Sequence, residues 1–288
     1  MSTIAISDPS PSAMVKFRLA GGPSPLILVP VTVDDRRTYD FILDTGASHC
    51  LLSKEVAASH AVHTEMEKEA MGAGGPIKLA YGHVNSMAVG SMRQTNVPVG
   101  ITGEVERIAA AIQTRVDGDL GFAFLKDYSV TIDYQASTLL LERELPRAHK
   151  KRFAYSIPFE LATPHKPMIL VQAMVNHQGP FQFVFDTGAS RTVVSCELAQ
   201  KLSVQTTDDN PGLGGGGQIK VLAGKLDSLS IGAVAVRDHD IGVAEFLTML
   251  STAIGRKLDG IIGYNFLNQF RVTIDYPQQM LGLEKVGI

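Results

Sequence analysis

The stretch Asp44-Thr45-Gly46-Ala47-Ser48 follows an apolar run, and it occurs again, unchanged, as Asp186-Thr187-Gly188-Ala189-Ser190. An aspartate at the end of an apolar run, followed by Thr-Gly, predicts an acid presented on a tight turn at the end of a buried strand. Burying a carboxylate is costly unless the group is paired or neutralised. Two such turns that met face to face would place two carboxylates close enough to share one proton. We therefore expect each copy to pair with the other.

The duplication extends over most of the chain. The difference 186 − 44 is 142, and this offset relates the two halves without a gap from about residue 15 to residue 284. The pentapeptide VTIDY at residues 130–134, for example, returns at residues 272–276. Two copies are too few for a solenoid or a propeller, so the repeat predicts two lobes related by a near two-fold axis. The predicted organisation is a flexible N-terminal tail over residues 1–14, lobes over 15–142 and 157–288, and a basic linker over 143–156.

The composition limits the kind of protein that this chain can be. Its 288 residues are 45% hydrophobic, which is enough for a sizeable core, and a net charge of −3 gives no reason to expect a nucleic acid partner. The two cysteines, Cys50 and Cys196, do not occupy equivalent places in the repeat, which favours free thiols in a reducing compartment. No signal-peptide pattern is seen, and the longest apolar run is too short to span a bilayer. We expect a soluble, cytoplasmic protein without a membrane partner.

The pattern of the chain predicts an all-β fold with a few short helices. Short β-rich runs, such as residues 26–33 and 38–43, are separated by turns that contain Gly, Pro and Asp. A short helix is expected after the first acid turn, with Ser53 as its N-cap, and an amphipathic helix is expected over residues 104–115. Both halves also carry a glycine-rich segment that suggests a mobile hairpin.

Three sequence elements follow one another in the same order in each half: an Asp-Thr-Gly turn, a glycine-rich segment and an apolar-apolar-Gly element. They lie at residues 44–46, 72–75 and 119–121, and again at residues 186–188, 214–217 and 261–263. With these elements the chain resembles the retropepsin-like aspartic proteases, as two such units fused in tandem, and it is similar in plan to single-chain pepsins. One departure is Asp119, which replaces the first apolar residue of its element and makes the two lobes unequal.

The resemblance implies a bilobal acid-protease fold of two β-barrel lobes and an aspartic endopeptidase that cleaves polypeptide substrates. It implies no cofactor and no metal, and a monomer in which the lobes form an intramolecular pseudo-dimer. In the family, the threonine hydroxyls reach across to the opposite turn, and glycine-rich flaps close over the substrate. The residues so implied are Asp44 and Asp186 as the catalytic pair, Thr45, Gly46, Thr187 and Gly188 as supports of the turns, and Gly72, Gly74, Gly75, Gly214, Gly215, Gly216 and Gly217 as the flaps.

Several alternatives remain open from the sequence. The fold could serve a non-catalytic peptide-binding module, or each lobe could pair with a lobe of another chain. Tyr81 is either a flap aromatic residue or an ordinary strand residue, whereas His60 and His63 are expected to be surface histidines and Cys50 a semi-buried thiol. The glycine-rich stretch 212–217 lacks the Lys-Ser/Thr of a phosphate-binding loop.

The residue after each Asp-Thr-Gly predicts the pH range of activity. In pepsin-like enzymes this position commonly carries a hydroxyl group that can hydrogen-bond the carboxylate, which lowers its pKa. Here the position holds Ala47 in one half and Ala189 in the other. The resemblance therefore implies a mildly acidic optimum rather than a strongly acidic one.

Overall fold

The computed structural model describes residues 12–23, 25–143, 156–208 and 211–285. The first half contains strands β1 (Ser12–Lys16), β2 (Arg18–Ala20), β3 (Leu26–Val33), β4 (Arg37–Leu43), β5 (Cys50–Leu52), β6 (Thr64–Gly72), β7 (Gly75–Val89), β8 (Met92–Ile101), β9 (Gly118–Leu120), β10 (Ser129–Asp133) and β11 (Thr138–Glu142). Its helices are α1 (Lys54–Ser59), α2 (Glu104–Ala111) and α3 (Phe122–Leu125).

The second half repeats this order of elements, except that each of the two strands of its glycine-rich hairpin is divided into two. Its strands are β12 (Ser156–Pro158), β13 (Glu160–Leu161), β14 (Ile169–Val175), β15 (Gln178–Phe185), β16 (Val193–Ser195), β17 (Thr206–Asp208), β18 (Gly212–Gly214), β19 (Gly217–Ile219), β20 (Leu222–Ile231), β21 (Val234–Ala244), β22 (Gly260–Ile262), β23 (Phe270–Asp275) and β24 (Met280–Lys285). Its helices are α4 (Cys196–Lys201), α5 (Phe246–Ile254) and α6 (Tyr264–Leu267).

Each half forms a closed barrel of six strands. In the first half the order is β3-β4-β9-β5-β8-β7, and pairing of β3 with β7 closes the ring. In the second half the order is β14-β15-β22-β16-β21-β20, closed by pairing of β14 with β20. Side chains alternate between the two faces of a strand, so Phe41 and Leu43 of β4 and Leu120 of β9 fill the first barrel, where all three are fully buried. The predicted all-β, two-lobed fold is confirmed.

A third sheet joins the two halves. Its order is β1-β11-β10-β23-β24-β12, so β10 of the first half pairs directly with β23 of the second. At the centre of that pair Thr131 lies opposite Thr273, and their hydroxyl groups are 2.9 Å apart. These threonines are equivalent positions of the repeat, so a near two-fold axis passes between them. The two barrels therefore share a common base rather than being linked only by a connector.

Local predictions and structure agree in most places. Strand β3 has the predicted bounds, and Ser53 caps α1 by accepting a hydrogen bond from the amide of Val56 at 3.1 Å. Helix α2 is shorter than predicted because the backbone leaves the helical conformation at Ile112 and Gln113 takes a positive φ of 50°. No helix within the described ranges is long and apolar enough to cross a membrane.

The predicted tail and linker fall largely outside the described residues. The tail was expected to reach residue 14, but residues 12–14 belong to β1, which pairs with β11 from Ser12 opposite Glu142. That part of the prediction is wrong, because pairing along β11 orders a segment whose composition alone suggests a frayed end. Residues 1–11 and 144–155 are not described, so the remaining boundaries stay predictions.

Candidate active site

Each acid turn begins where a barrel strand ends. Strand β4 ends at Leu43, and the amide of Asp44 donates to the carbonyl of Leu120 at 3.1 Å. In the second half the amide of Asp186 donates in the same way to the carbonyl of Ile262 at 3.0 Å. The apolar-apolar-Gly strands β9 and β22 thus fix the backbone from which each acid projects.

The two turns are tied to each other by buried threonines. The amide of Thr45 donates to the hydroxyl oxygen of Thr187 at 3.1 Å, and the amide of Thr187 donates to the hydroxyl oxygen of Thr45 at 3.0 Å. Each hydroxyl in turn donates across the interface, from Thr45 to the carbonyl of Phe185 at 3.1 Å and from Thr187 to the carbonyl of Leu43 at 2.7 Å. These four hydrogen bonds leave little freedom for one turn to move against the other.

The carboxyl groups of Asp44 and Asp186 lie side by side and interact directly with each other. A Cβ atom on Gly46 would lie 2.7 Å from Oδ2 of Asp186, and a Cβ atom on Gly188 would lie 2.6 Å from Cγ of Asp44. Such distances are too short for a methyl group, so glycine is required at both places by the approach of the opposite acid. The structure thus brings together the six predicted dyad and turn residues within one chain.

Backbone amides orient the two acids. In the first turn the amides of Gly46 and Ala47 donate to Oδ1 of Asp44 at 2.8 and 2.9 Å. In the second turn the amide of Gly188 donates to Oδ1 of Asp186 at 2.8 Å. Burial raises the pKa of both carboxyl groups, and the charge of Asp44 raises the pKa of Asp186 further. Two carboxyl groups that are buried side by side retain one proton between them at pH values well above the usual pKa of an aspartate.

A third acid close to this pair was noted in the sequence only as a departure from the family pattern. Asp119 of β9 is 5% exposed, and its Oδ1 atom has no hydrogen-bond partner among the described residues. Burial raises its pKa well above the ordinary value, and the charges of Asp44 and Asp186 raise it further. The sequence signal for this residue was an acid in an otherwise apolar element. Its proximity to Asp44 and Asp186 could not be predicted from the sequence, because that proximity depends on tertiary packing.

The glycine-rich segments form two hairpins whose tips meet. In the first hairpin, β6 and β7 pair up to Gly72 opposite Gly75, and in the second, β18 and β19 pair up to Gly214 opposite Gly217. The amide of Gly74 donates to the carbonyl of Gly215 at 2.7 Å. A Cβ atom on Gly74 would lie 2.2 Å from the carbonyl oxygen of Gly217, so this crossing requires glycine. We call the hairpins flap 1 (β6–β7) and flap 2 (β18–β19).

A cavity of about 270 Å³ lies beside the first acid turn. Ser48 and His49 of that turn form one wall, and the loop that carries Pro164 and His165 of the second half forms another. Tyr81 of β7 stands edge-on to His49, with ring centroids 5.3 Å apart. The cavity is therefore a cleft between the halves that continues from the acid turn.

Other candidates from the sequence do not join this site. The imidazole of His60 is 2% exposed and lies between the carboxylate of Asp34 and the hydroxyl of Tyr39, so the prediction of a surface histidine is wrong there, whereas His63 is exposed. Cys50 is fully buried rather than semi-buried, and burial raises the pKa of its thiol to about 12. Within the described ranges no three His, Cys, Asp or Glu side chains are placed to hold a metal ion.

Two closed barrels on a common base, with facing Asp-Thr-Gly turns and crossing glycine hairpins, define the bilobal acid-protease fold. A family model described as aspartyl protease matches residues 29–124 and, a second time, residues 171–266. Both 171 − 29 and 266 − 124 equal 142, the offset of the repeat. The chain belongs to this retropepsin-like aspartyl protease family, with two units in tandem, as the sequence elements predicted. No curated protein sequence matches the chain at a significant level.

Proposed function

We propose that the protein is an aspartic endopeptidase that cleaves extended polypeptides with the pair Asp44 and Asp186. The observation that carries this proposal is the threonine network, which holds the two carboxyl groups in contact within one chain. The functional unit is then a monomer whose halves act as an intramolecular pseudo-dimer. A tether within one chain also gives the halves a high effective concentration for each other.

The pair performs acid and base chemistry with one shared proton. The ionised carboxylate takes a proton from a water held between the two acids as that water attacks the scissile carbonyl. The protonated acid donates toward the developing oxyanion, and the leaving amine is protonated in a later step. The amides of Gly46 and Gly188 keep both carboxyl groups oriented throughout. Because the pair titrates as a unit, the proton belongs to both acids rather than to either one.

The flaps provide the binding surface for an extended chain. Their backbone donors and acceptors at the glycine tips allow a substrate to add as a further strand, so that main-chain hydrogen bonds supply affinity. The tips must separate to admit the chain, which breaks the hydrogen bond from Gly74 to Gly215. A cytoplasmic location is supported by Cys50 and Cys196, both of which are free thiols.

Cleavage of a diverse peptide library tests the proposal. The wild-type protein should cut extended peptides over a range of mildly acidic pH, and Asp44→Asn should abolish cutting. Asp133→Asn is a matched control, because Asp133 is also a repeated acid but accepts a hydrogen bond from the amide of Ala136 in a turn outside the site. Peptides that bind to the wild-type protein but are never cut would instead indicate a non-catalytic binding module.

A further inference from the structure

The two halves differ at one position directly beside the acid turns. Asp119 of β9 pairs with Ile42, two residues before Asp44, and its equivalent Ile261 of β22 pairs with Val184, two residues before Asp186. Ile261 packs in an apolar cluster with Val184 and its neighbours. The same place in the fold therefore accepts an ordinary apolar side chain, and the barrel does not need an acid there.

Asp119 lies on the same face of the sheet as the first catalytic acid. It is paired with Ile42 on one side and with Leu51 on the other, and both of these pack in the apolar cluster on the outer face of the barrel. Residues two apart along a strand point to the same face, which places Asp44 on the side of Ile42 and Asp119. The charges of both members of the pair act on the Asp119 carboxyl group.

One oxygen of this acid has no hydrogen-bond partner in the described part of the chain. The residue is 5% exposed, and its Oδ1 atom is buried without a protein donor. A buried polar group left without a partner destabilises a fold, and native proteins rarely keep one without a reason. A buried carboxyl oxygen without a protein donor, on the face of the sheet that carries the catalytic acid and at a place where the other half has isoleucine, indicates a partner that arrives with the substrate.

We propose that Asp119 is a specificity-determining residue that receives a lysine or arginine side chain of the substrate next to the scissile bond, whereas the Ile261 side of the cleft receives an apolar side chain. This proposal rests on the proposed endopeptidase function. A cation suits the position because the shared-proton pair already carries negative charge nearby, and a positive side chain would offset the burial and the repulsion that both act on Asp119. The two sides of the cleft then differ, so a substrate with one basic and one apolar side chain beside the scissile bond binds in one orientation only.

Matched peptides that differ at a single residue test the proposal. They carry either Lys or Met on one side of the scissile bond, then on the other, because these side chains are similar in length and differ in charge. For the wild-type protein, kcat/KM should favour Lys over Met by about tenfold or more on one side only. Asp119→Ile should remove this preference, and Ile261→Asp should create a second one on the opposite side.

The Lys/Met ratio separates recognition from a merely structural role. A variant that only disturbs the fold or the catalytic pair lowers both rates together and leaves the ratio unchanged. A wild-type ratio near one, or a ratio that Asp119→Ile does not alter, would overturn the proposal. Circular dichroism and thermal unfolding of each variant check that it is folded.

A binding measurement keeps this inference distinct from the proposed function. The Asp44→Asn variant should bind the Lys peptide about tenfold more tightly than the Met peptide, and the added Asp119→Ile substitution should equalise the two affinities. If no peptide is cut by the wild-type protein but this difference in binding is present, the endopeptidase proposal fails and the subsite stands. Equal binding of both peptides overturns the subsite whatever the cleavage result.

Discussion

The two flaps are equivalent in the repeat, yet they are held by different chemistry. At the tip of flap 2, the amide of Gly216 donates to Glu104 at 2.7 Å, and Arg107 donates to the carbonyl of Gly214 at 2.9 Å. Glu104 and Arg107 also form an ion pair with each other on α2. Flap 1 instead places Ala73 against the apolar cluster that contains Phe246 of α5.

This difference follows from the sequences of α2 and α5. At the offset of 142, Glu104 corresponds to Phe246 and Arg107 to Met249. The tip of flap 2 is therefore held by an ion-paired glutamate and arginine, whose contacts salt screens. Flap 1 is held mainly by apolar contact, which salt does not weaken, together with one hydrogen bond from Lys166 to the carbonyl of Met71 at 3.3 Å. The centre of the site is symmetric and its surroundings are not. The Asp-Thr-Gly turns that hold the two acids are identical in the two halves, whereas the helices that contact the flaps differ in sequence.

The largest effect should come from breaking the symmetric centre. Gly46→Ala places a methyl group against Asp186, and Gly188→Ala places one against Asp44. Because displacement of a catalytic group by about 1 Å can cost 10²-fold in rate, each variant should lower kcat/KM by about that factor or more. Steady-state kinetics should show similar losses for the two variants, with Gly103→Ala as a control, because an added Cβ atom there would meet nothing closer than 3.6 Å. A loss in one half only would contradict the symmetric pair.

The second prediction concerns Asp119→Ile, which gives β9 the residue that β22 has at the equivalent position. The pKa of Asp119 is raised in the folded protein, so the folded state binds more protons than the unfolded state between the two pKa values. This contribution to stability is fully present below the unfolded value and is lost as pH rises through the folded value. Isoleucine does not titrate, so the Asp119→Ile variant does not lose this stability as the pH rises. The free energy of unfolding of the variant minus that of the wild type should therefore be larger at pH 8 than at pH 4, by about 1–3 kcal/mol.

Denaturant unfolding at several pH values measures this difference. The matched control is Asp133→Asn, which changes an acid of the same half outside the site. A difference between Asp119→Ile and wild type that stays constant with pH would show that the Asp119 carboxyl group titrates alike in the folded and unfolded states.

The polar contacts of flap 2 can be removed without touching flap 1. Arg107→Ala eliminates the donor to Gly214 and frees Glu104 from its ion pair. We expect a several-fold change in KM, since a typical hydrogen bond contributes a net of about 0.5–1.5 kcal/mol, and a weaker dependence of KM on salt. Met249→Ala is the matched variant in α5 and should leave the salt dependence as it is. An equal response to salt in both variants would show that the flaps are held alike.

The smallest expected effect is a shift of the pH profile. Ala47→Ser together with Ala189→Ser adds a hydroxyl donor beside each carboxyl group, which favours the charged forms and lowers both pKa values of the pair. Both limbs of the kcat/KM profile should move to lower pH, by up to about one unit. The wild-type optimum itself is expected at mildly acidic pH because burial raises both pKa values. A wild-type optimum at strongly acidic pH contradicts this account, as does a profile that the serine variant leaves in place.

The sequence predicted the centre of the site well because the centre is duplicated. Asp44 and Asp186 stand in identical pentapeptides, and each is followed at matching spacing by glycine-rich and apolar-apolar-Gly elements. Their spacing also predicted the strands and the two-lobed fold, since alternating patterns and turn residues act locally. The catalytic role of the pair stays a prediction.

What the sequence could not predict depends on contacts between distant residues. Glu104 accepts a hydrogen bond from Gly216 at the tip of flap 2, which is 112 residues away in the sequence, and no local sequence pattern predicts that bond. The burial of His60 depends on Asp34, which is 26 residues away. The missing partner of Asp119 is likewise a property of the packed barrel, although the residue itself stood out in its element.

One measurement tests most directly whether a single chain supplies both acids. Asp44→Asn and Asp186→Asn are purified separately, unfolded together in denaturant, refolded as a mixture and assayed on a peptide that the wild-type protein cuts. Wild-type protein refolded in the same way controls for recovery. The intramolecular pair predicts no activity in the mixture, because one of the two aspartates is replaced by asparagine in every chain. Activity that returns in the mixture but in neither variant refolded alone would show that acids from two chains combine, and it would contradict the account.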